Sequence, residues 1–120
     1  MRKSSTWFAI LVVVLALAAR IIPGPRTIDD SFITFRYARN LLSGEGFVYN
    51  PGQRVMGTTT PLYTFLMAGM AALAGGPKAD FPALALGLNT AADAVTCLLL
   101  WQLGKRFGSQ RAGAVAAVLW

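Results

Sequence analysis

Apolar residues gather along this chain into four runs, separated by one long polar segment and two short breaks. The first run, Trp7 to Ala19, is thirteen residues without interruption, and Ile21 and Ile22 extend it past Arg20. It predicts a membrane helix over residues 4–22, of the roughly 20 residues a bilayer requires, with Arg20 carrying its charge out to the interface. A secretory signal has the same form: the basic start MRKSST, a short apolar stretch, and Ala16-Leu17-Ala18 as a small-x-small site. The further runs downstream favour an uncleaved first span. Pro23-Gly24-Pro25 ends that helix, because neither proline donates a backbone bond. A second span is predicted over 58–74, with Pro61 suited to a first helical turn and Gly75-Gly76-Pro77 as its stop. A third covers 81–103, with Asn89 and Asp93 inside it, and a fourth covers 112–120. From Ala112 to Trp120 a helix extends roughly 13 Å, under half the hydrocarbon thickness. The pattern therefore reads as the N-terminal piece of a longer polytopic protein, inactive alone.

The segment 23–60 between the first two runs is expected to form an external loop with its own helix. Over Ser31 to Leu42, Ile33, Tyr37 and Leu41 recur every four residues, with Ala38 and Leu42 beside them. Thr34 flanks this face, while Arg36, Asn40 and Ser43 fall on another. So broad an apolar face predicts a helix lying in a membrane interface. Asp29 and Asp30 stand just before the helix or in its first turn, where a carboxylate meets free backbone N–H groups and the positive end of the dipole. Gly44 is placed to end it. One aspartate as a cap accounts for one carboxylate, not two, and a second acid at an interface needs water or a partner. Asp29 and Arg36 lie about two turns apart, roughly 10 Å along a helix that includes both. So placed they can bracket a small group such as a sugar joined to a phosphate; the alternative is caps and solvated charges. Beyond the helix, Asn50-Pro51-Gly52-Gln53 has the type II turn pattern. It joins two β-prone pieces, Phe47–Tyr49 and Arg54–Met56, and either holds Arg54 rigidly or leaves it facing lipid head groups.

Composition strengthens the membrane reading. Of 120 residues 55% are hydrophobic and 13% charged, against about 25% charged in ordinary soluble domains. Mean hydropathy is +0.53. Eleven Lys and Arg against five Asp and Glu give a net charge of +6. These cations are scattered around apolar runs without a dense aromatic-interleaved patch, so nucleic acid is not the expected partner. Membrane lipid head groups or a phosphate-bearing substrate fit better, and part of the excess is topology signal. Arg2 and Lys3 favour a cytoplasmic start. Four alternating spans would then put the 23–60 segment and the turn around Lys105, Arg106 and Arg111 on the same external side. The absence of histidine excludes His-based catalysis, and the lone Cys97 excludes a disulfide within the chain.

An acidic pair in the first loop, then "FRYARNLLSGEGFVYNPGQRVMGTTTPLY", then closely spaced spans resembles the N-terminal part of the GT-C glycosyltransferases. These are polytopic membrane enzymes that take a sugar from a polyprenyl-phosphate carrier. The string looks closest to the bacterial branch that includes the arabinofuranosyltransferases; protein mannosyltransferases and aminoarabinose transferases are more distant in pattern. The resemblance implies an all-α polytopic membrane fold. It also implies inverting transfer to an acceptor hydroxyl on a glycan, lipid or protein, at the external face of a bacterial cytoplasmic membrane. It places the catalytic carboxylate in the pair Asp29-Asp30, with Asp29 the expected base, and a carrier-phosphate arginine at Arg36. The residues "SFITF" make the interval longer than in the lipid A enzymes. Arg39 and Arg54 are further candidates for the phosphate. Some members of the group use a divalent metal, which Asp29 or Asp30 would hold, but the chain offers no full ligand set.

Two other readings bear on the same residues. A transporter or flippase segment would use Asp93 as an intramembrane ionisable site. A small membrane scaffold would use the helices alone. Neither accounts for the ordered loop string.

Overall fold

In the computed structural model, which describes residues 3–25 and 29–120, the chain forms α1 (Lys3–Ile21), α2 (Asp29–Leu42), α3 (Pro61–Leu73), α4 (Phe81–Arg106) and α5 (Gln110–Leu119). A single 3-10 turn, Gly76–Lys78, lies between α3 and α4. The described residues are thus helical and contain no strand, only an isolated bridge between Asn50 and Gln53. Arg2, part of the basic start, and residues 26–28 of the predicted loop lie outside the described residues. The chain divides into two compact units. One comprises Met1–Gly24 with Leu86–Trp120, and the other is Pro25–Ala85.

The first unit is built from α1, α5 and most of α4. Val12, Cys97, Trp101 and Ala117 form its buried centre, with Phe8, Ala16, Leu100 and Ala114 packed around them. The Cys97 thiol donates to the Ala117 carbonyl at 3.4 Å. Gly104 of α4 meets Gly113 of α5 so closely that a Cβ on Gly113 would stand 2.9 Å from Gly104 Cα. Glycine at both positions is what lets the two backbones touch. Gly108, at φ +81°, reverses the chain between them. Its N–H and that of Ser109 return to the carbonyls of Lys105 and Gly104, the Schellman pattern. The Ser109 hydroxyl then caps α5 by accepting from Ala112 N–H at 3.2 Å. Phe8 lies beside this turn, whereas Arg20 pairs with Asp93 in the middle of α4. Helices α1 and α4 therefore run antiparallel, and the start of α1 shares an end with the α4–α5 turn.

The second unit holds α2, the 43–60 segment, α3 and the start of α4. Thr34, Phe35, Tyr37 and Ala38 of α2 are buried, as are Thr64, Met67, Ala68 and Ala71 of α3. The two faces pack on each other, and Phe35 lies 5.8 Å from Phe81 between ring centroids. Part of the apolar face of α2 is thus covered within the protein, while Phe32 stays exposed. The buried stripe also sits one position round from the expected one. Thr34 and Phe35 are inside, while Ile33, Leu41 and Leu42 are only half-buried. Thr34 is drawn inside by its hydroxyl contact of 3.2 Å with Thr60 at the head of α3, and Phe35 by its packing on Phe81.

The predicted spans fare unequally by length. Helix α4 has 26 residues and a mean hydropathy of 1.6 over its most apolar window, and among the described residues it is the one helix long and apolar enough to cross a membrane. The described apolar parts of α1 and α3, Ile10–Ile21 and Pro61–Leu73, are shorter. Thirteen residues of α3 rise about 20 Å, well short of a hydrocarbon core of about 30 Å. Arg20 also departs from expectation: it turns to Asp93 instead of to an interface.

Candidate functional site

Helix α2 starts at Asp29, so both carboxylates lie inside its first turn. They benefit from the helix dipole there. Both are exposed, and among the described residues neither has a hydrogen-bond or ion-pair partner. The conditional geometry read from the sequence is met: Asp29 and Arg36 share one helix and stand about two turns apart.

What the rest of α2 does was less evident from its pattern. Arg36 Nε donates to the Tyr49 carbonyl at 3.0 Å, and one Nη donates to Asn50 Oδ1 at 3.2 Å. Its guanidinium lies 4.5 Å from the centre of the Tyr49 ring. Asn40, one turn on, donates to the carbonyls of Val48 and Tyr49 at 2.8 and 2.9 Å. Tyr37, fully buried, donates its hydroxyl to the Val55 carbonyl at 2.6 Å and accepts from Gly57 N–H at 2.7 Å. Its ring lies 5.0 Å from Phe47 and 5.9 Å from Tyr49, and Phe47 stacks on Phe65 of α3. Three side chains of one helix therefore fasten the 47–57 segment by its backbone.

This explains why the β-prone pieces do not form a ladder. The turn between them is as predicted, with Gln53 N–H returning to the Asn50 carbonyl at 3.1 Å and Gly52 at φ +82°. The carbonyls of Val48, Tyr49 and Val55, which a hairpin would pair, accept from α2 side chains instead. Of the anchoring residues, Asn40 had been placed on a polar face and Tyr37 on the apolar one, without roles. A sequence signal existed: Arg36 and Asn40 are spaced i, i+4 ahead of a turn whose carbonyls needed partners.

The candidate residues are not all gathered at one point. Arg39 donates to the Pro77 carbonyl at 3.1 Å and lies 5.2 Å over the Phe81 ring, so it serves the junction below α3 and points away from the Arg36 partners. Arg54 is exposed, has no partner among the described residues, and sits between the fastened turn and the fastened Val55. Arg36 keeps three of its five N–H donors beyond the two engaged bonds. Exposed cations on a braced loop and two unengaged carboxylates can hold an anion and take up a proton. No group of three or more His, Cys, Asp or Glu among the described residues could hold a metal ion.

Asp93, the ionisable residue of the third run, is an internal contact of the first unit. It pairs with Arg20 of α1 and accepts from Trp120 Nε1 at 3.3 Å. These partners join three helices of the unit through one carboxylate.

Comparison with known proteins adds one partial likeness. Over 73 residues the chain is 37% identical to the terminal β-(1→2)-arabinofuranosyltransferase of Mycobacterium tuberculosis. The match covers 60% of this chain and 12% of that enzyme. The chain matches no family model and no solved structure. The likeness supports a glycosyltransferase-like origin and reaches no further along the relative.

Proposed function

We propose that the chain forms the first part of a GT-C-like transmembrane domain, and that its α2 segment belongs to the active site of a membrane glycosyltransferase. In this reading a sugar passes from a polyprenyl-phosphate carrier to an acceptor hydroxyl at the external face of a bacterial cytoplasmic membrane. The observation that carries it is the likeness to an arabinofuranosyltransferase. Two exposed carboxylates at the head of a helix whose later turns brace the loop that carries Arg54 agree with it.

The chemistry follows from those groups. Asp29, with Asp30 beside it, accepts the proton of the acceptor hydroxyl as its oxygen attacks the anomeric carbon. A new C–O bond forms on the face opposite the departing phosphate, so the anomeric configuration inverts. The carrier phosphate leaves with the bonding pair, and guanidinium groups stabilise its growing charge. Arg54 and the remaining donors of Arg36 serve this role, because the arginine fork matches phosphate oxygens and stays charged. Arg39, committed to Pro77 and Phe81, contributes at longer range.

The membrane arrangement proposed is two crossing helices, α1 and α4, antiparallel. Their outward side chains, including Leu11, Val14 and Leu15 of α1 and Val95, Leu99 and Leu103 of α4, are exposed and apolar, as a lipid-facing surface requires. The basic start and the turn around Arg106 then fall together on the cytoplasmic side, in keeping with the positive-inside rule.

The test is sugar transfer by membranes of cells producing the protein from its own locus, with polyprenyl-phosphate-linked labelled arabinofuranose as donor. Transfer with inverted configuration is expected. A product of retained configuration, or labelling that does not depend on the gene, would count against the reading.

A further inference from the structure

We infer that the α4–α5 turn is a binding site for an anionic phospholipid, its phosphate held by Arg106 and Arg111 and its acyl chain lying along Phe8 and Ala114. The inference rests on the membrane-crossing part of the function proposed above. It concerns the end of the first unit remote from Arg20 and Asp93, which the sugar chemistry does not use.

A cavity of about 500 Å3 opens at this turn, lined by Phe8, Gly108, Ser109, Gln110, Arg111 and Ala114. Its wall is divided in chemistry. Ser109, Gln110 and Arg111 are polar, whereas Phe8 and Ala114 are apolar. A small inorganic anion would use only the first part, and an amphiphile uses both. Three cations, Lys105, Arg106 and Arg111, fall within seven residues with no acid among them. The Lys105 ammonium is already seated 4.6 Å over the Trp101 ring. Arg106 and Arg111 are exposed and have no ion-pair partner among the described residues. Phe107, between them in sequence, is 79% exposed. An aromatic ring flanked by cations, at the end of the one helix long enough to cross, suits the headgroup boundary. Guanidinium forks match the phosphate oxygens of such a lipid. The anionic leaflet that attracts such residues is the cytoplasmic one, where the proposed topology puts this turn.

The purified protein in neutral detergent, titrated with phosphatidylglycerol or phosphatidylcholine and read by native mass spectrometry, tests the inference. Phosphatidylglycerol should be retained at about tenfold lower concentration than phosphatidylcholine. R106Q/R111Q should weaken its retention by about thirtyfold, from roughly fivefold per cation near a lipid surface. R106K/R111K, which keeps both charges, should weaken it far less, and Lys78→Gln should leave it unchanged. Equal retention of both lipids, undiminished retention by R106Q/R111Q with native helicity, or full displacement by millimolar inorganic phosphate would each overturn the lipid site. Alkaline-carbonate extraction of the protein from membranes separates the two claims. Release into the soluble fraction removes the membrane reading and this site with it, whereas an integral protein with an indifferent double variant removes the site alone.

Discussion

The two units of this chain are held together by opposite means. In Pro25–Ala85, polar side chains reach across to a backbone that has no regular partner: Arg36, Tyr37 and Asn40 together satisfy the carbonyls of Val48, Tyr49 and Val55. In Met1–Gly24 with Leu86–Trp120, the backbone is satisfied within its own helices. The contacts between helices there are a small buried apolar cluster, a glycine-on-glycine approach and one ion pair. The first manner suits a segment that must display charged groups at fixed places, because each bond fixes a loop atom. The second suits helices in lipid, where close approach replaces hydrophobic driving force. The residues proposed to carry the chemistry lie in the first kind of structure, the long apolar helix mostly in the second.

That contrast can be broken at its strongest point first. Gly113→Val would set a branched side chain against Gly104 Cα and the carbonyls of Leu100 and Trp101. It should destabilise the first unit by about 3 kcal/mol, seen as loss of the α4–α5 contact in detergent unfolding. Hydrogen-exchange protection of residues 47–57 should be unaffected. Equal loss in both units would show that the division is not real.

Tyr37→Phe sharpens the other side. It removes one hydroxyl and leaves two part-buried backbone groups, Val55 C=O and Gly57 N–H, without that partner. About 2 kcal/mol is expected, with exchange protection falling around 50–57 and unchanged in α4. A smaller effect follows from Asp93→Asn, which leaves Arg20 without its carboxylate. The Arg20 side chain is 53% exposed, so solvent takes over much of the interaction and about 1 kcal/mol is expected. The double variant R20Q/D93N should recover part of that loss in a double-mutant cycle. No recovery would mean the pair contributes nothing.

Much of the helix order was legible in the apolar runs, because Pro23-Gly24-Pro25, Pro61 and Gly75-Gly76-Pro77 act through local backbone rules that need no tertiary context. The packing of the runs was not. Run length alone could not show that α3 stops at thirteen residues and gives its small face to α2. Nor could it show that Arg20 would find Asp93, a partner on a different helix. At the candidate site the sequence picked out Asp29, Asp30, Arg36, Arg39 and Arg54 by charge and order. It did not assign Tyr37 or Asn40, whose importance lies in carbonyls distant in sequence. It also could not divide the arginines into Arg36, which braces the loop, Arg39, which is seated on Pro77 and Phe81, and Arg54, which is left open.

The measurement that bears most directly on the account is sugar transfer by membranes carrying either Asp29→Asn or Asp93→Asn, each at wild-type abundance. Asp29→Asn should lower transfer from the polyprenyl-phosphate donor by about 10²- to 10⁴-fold, the usual scale for losing a positioned base. Asp93→Asn should leave most of it, since that carboxylate only joins helices. The reverse outcome, with Asp29→Asn silent and Asp93→Asn inactive, would contradict the assignment of chemistry to α2.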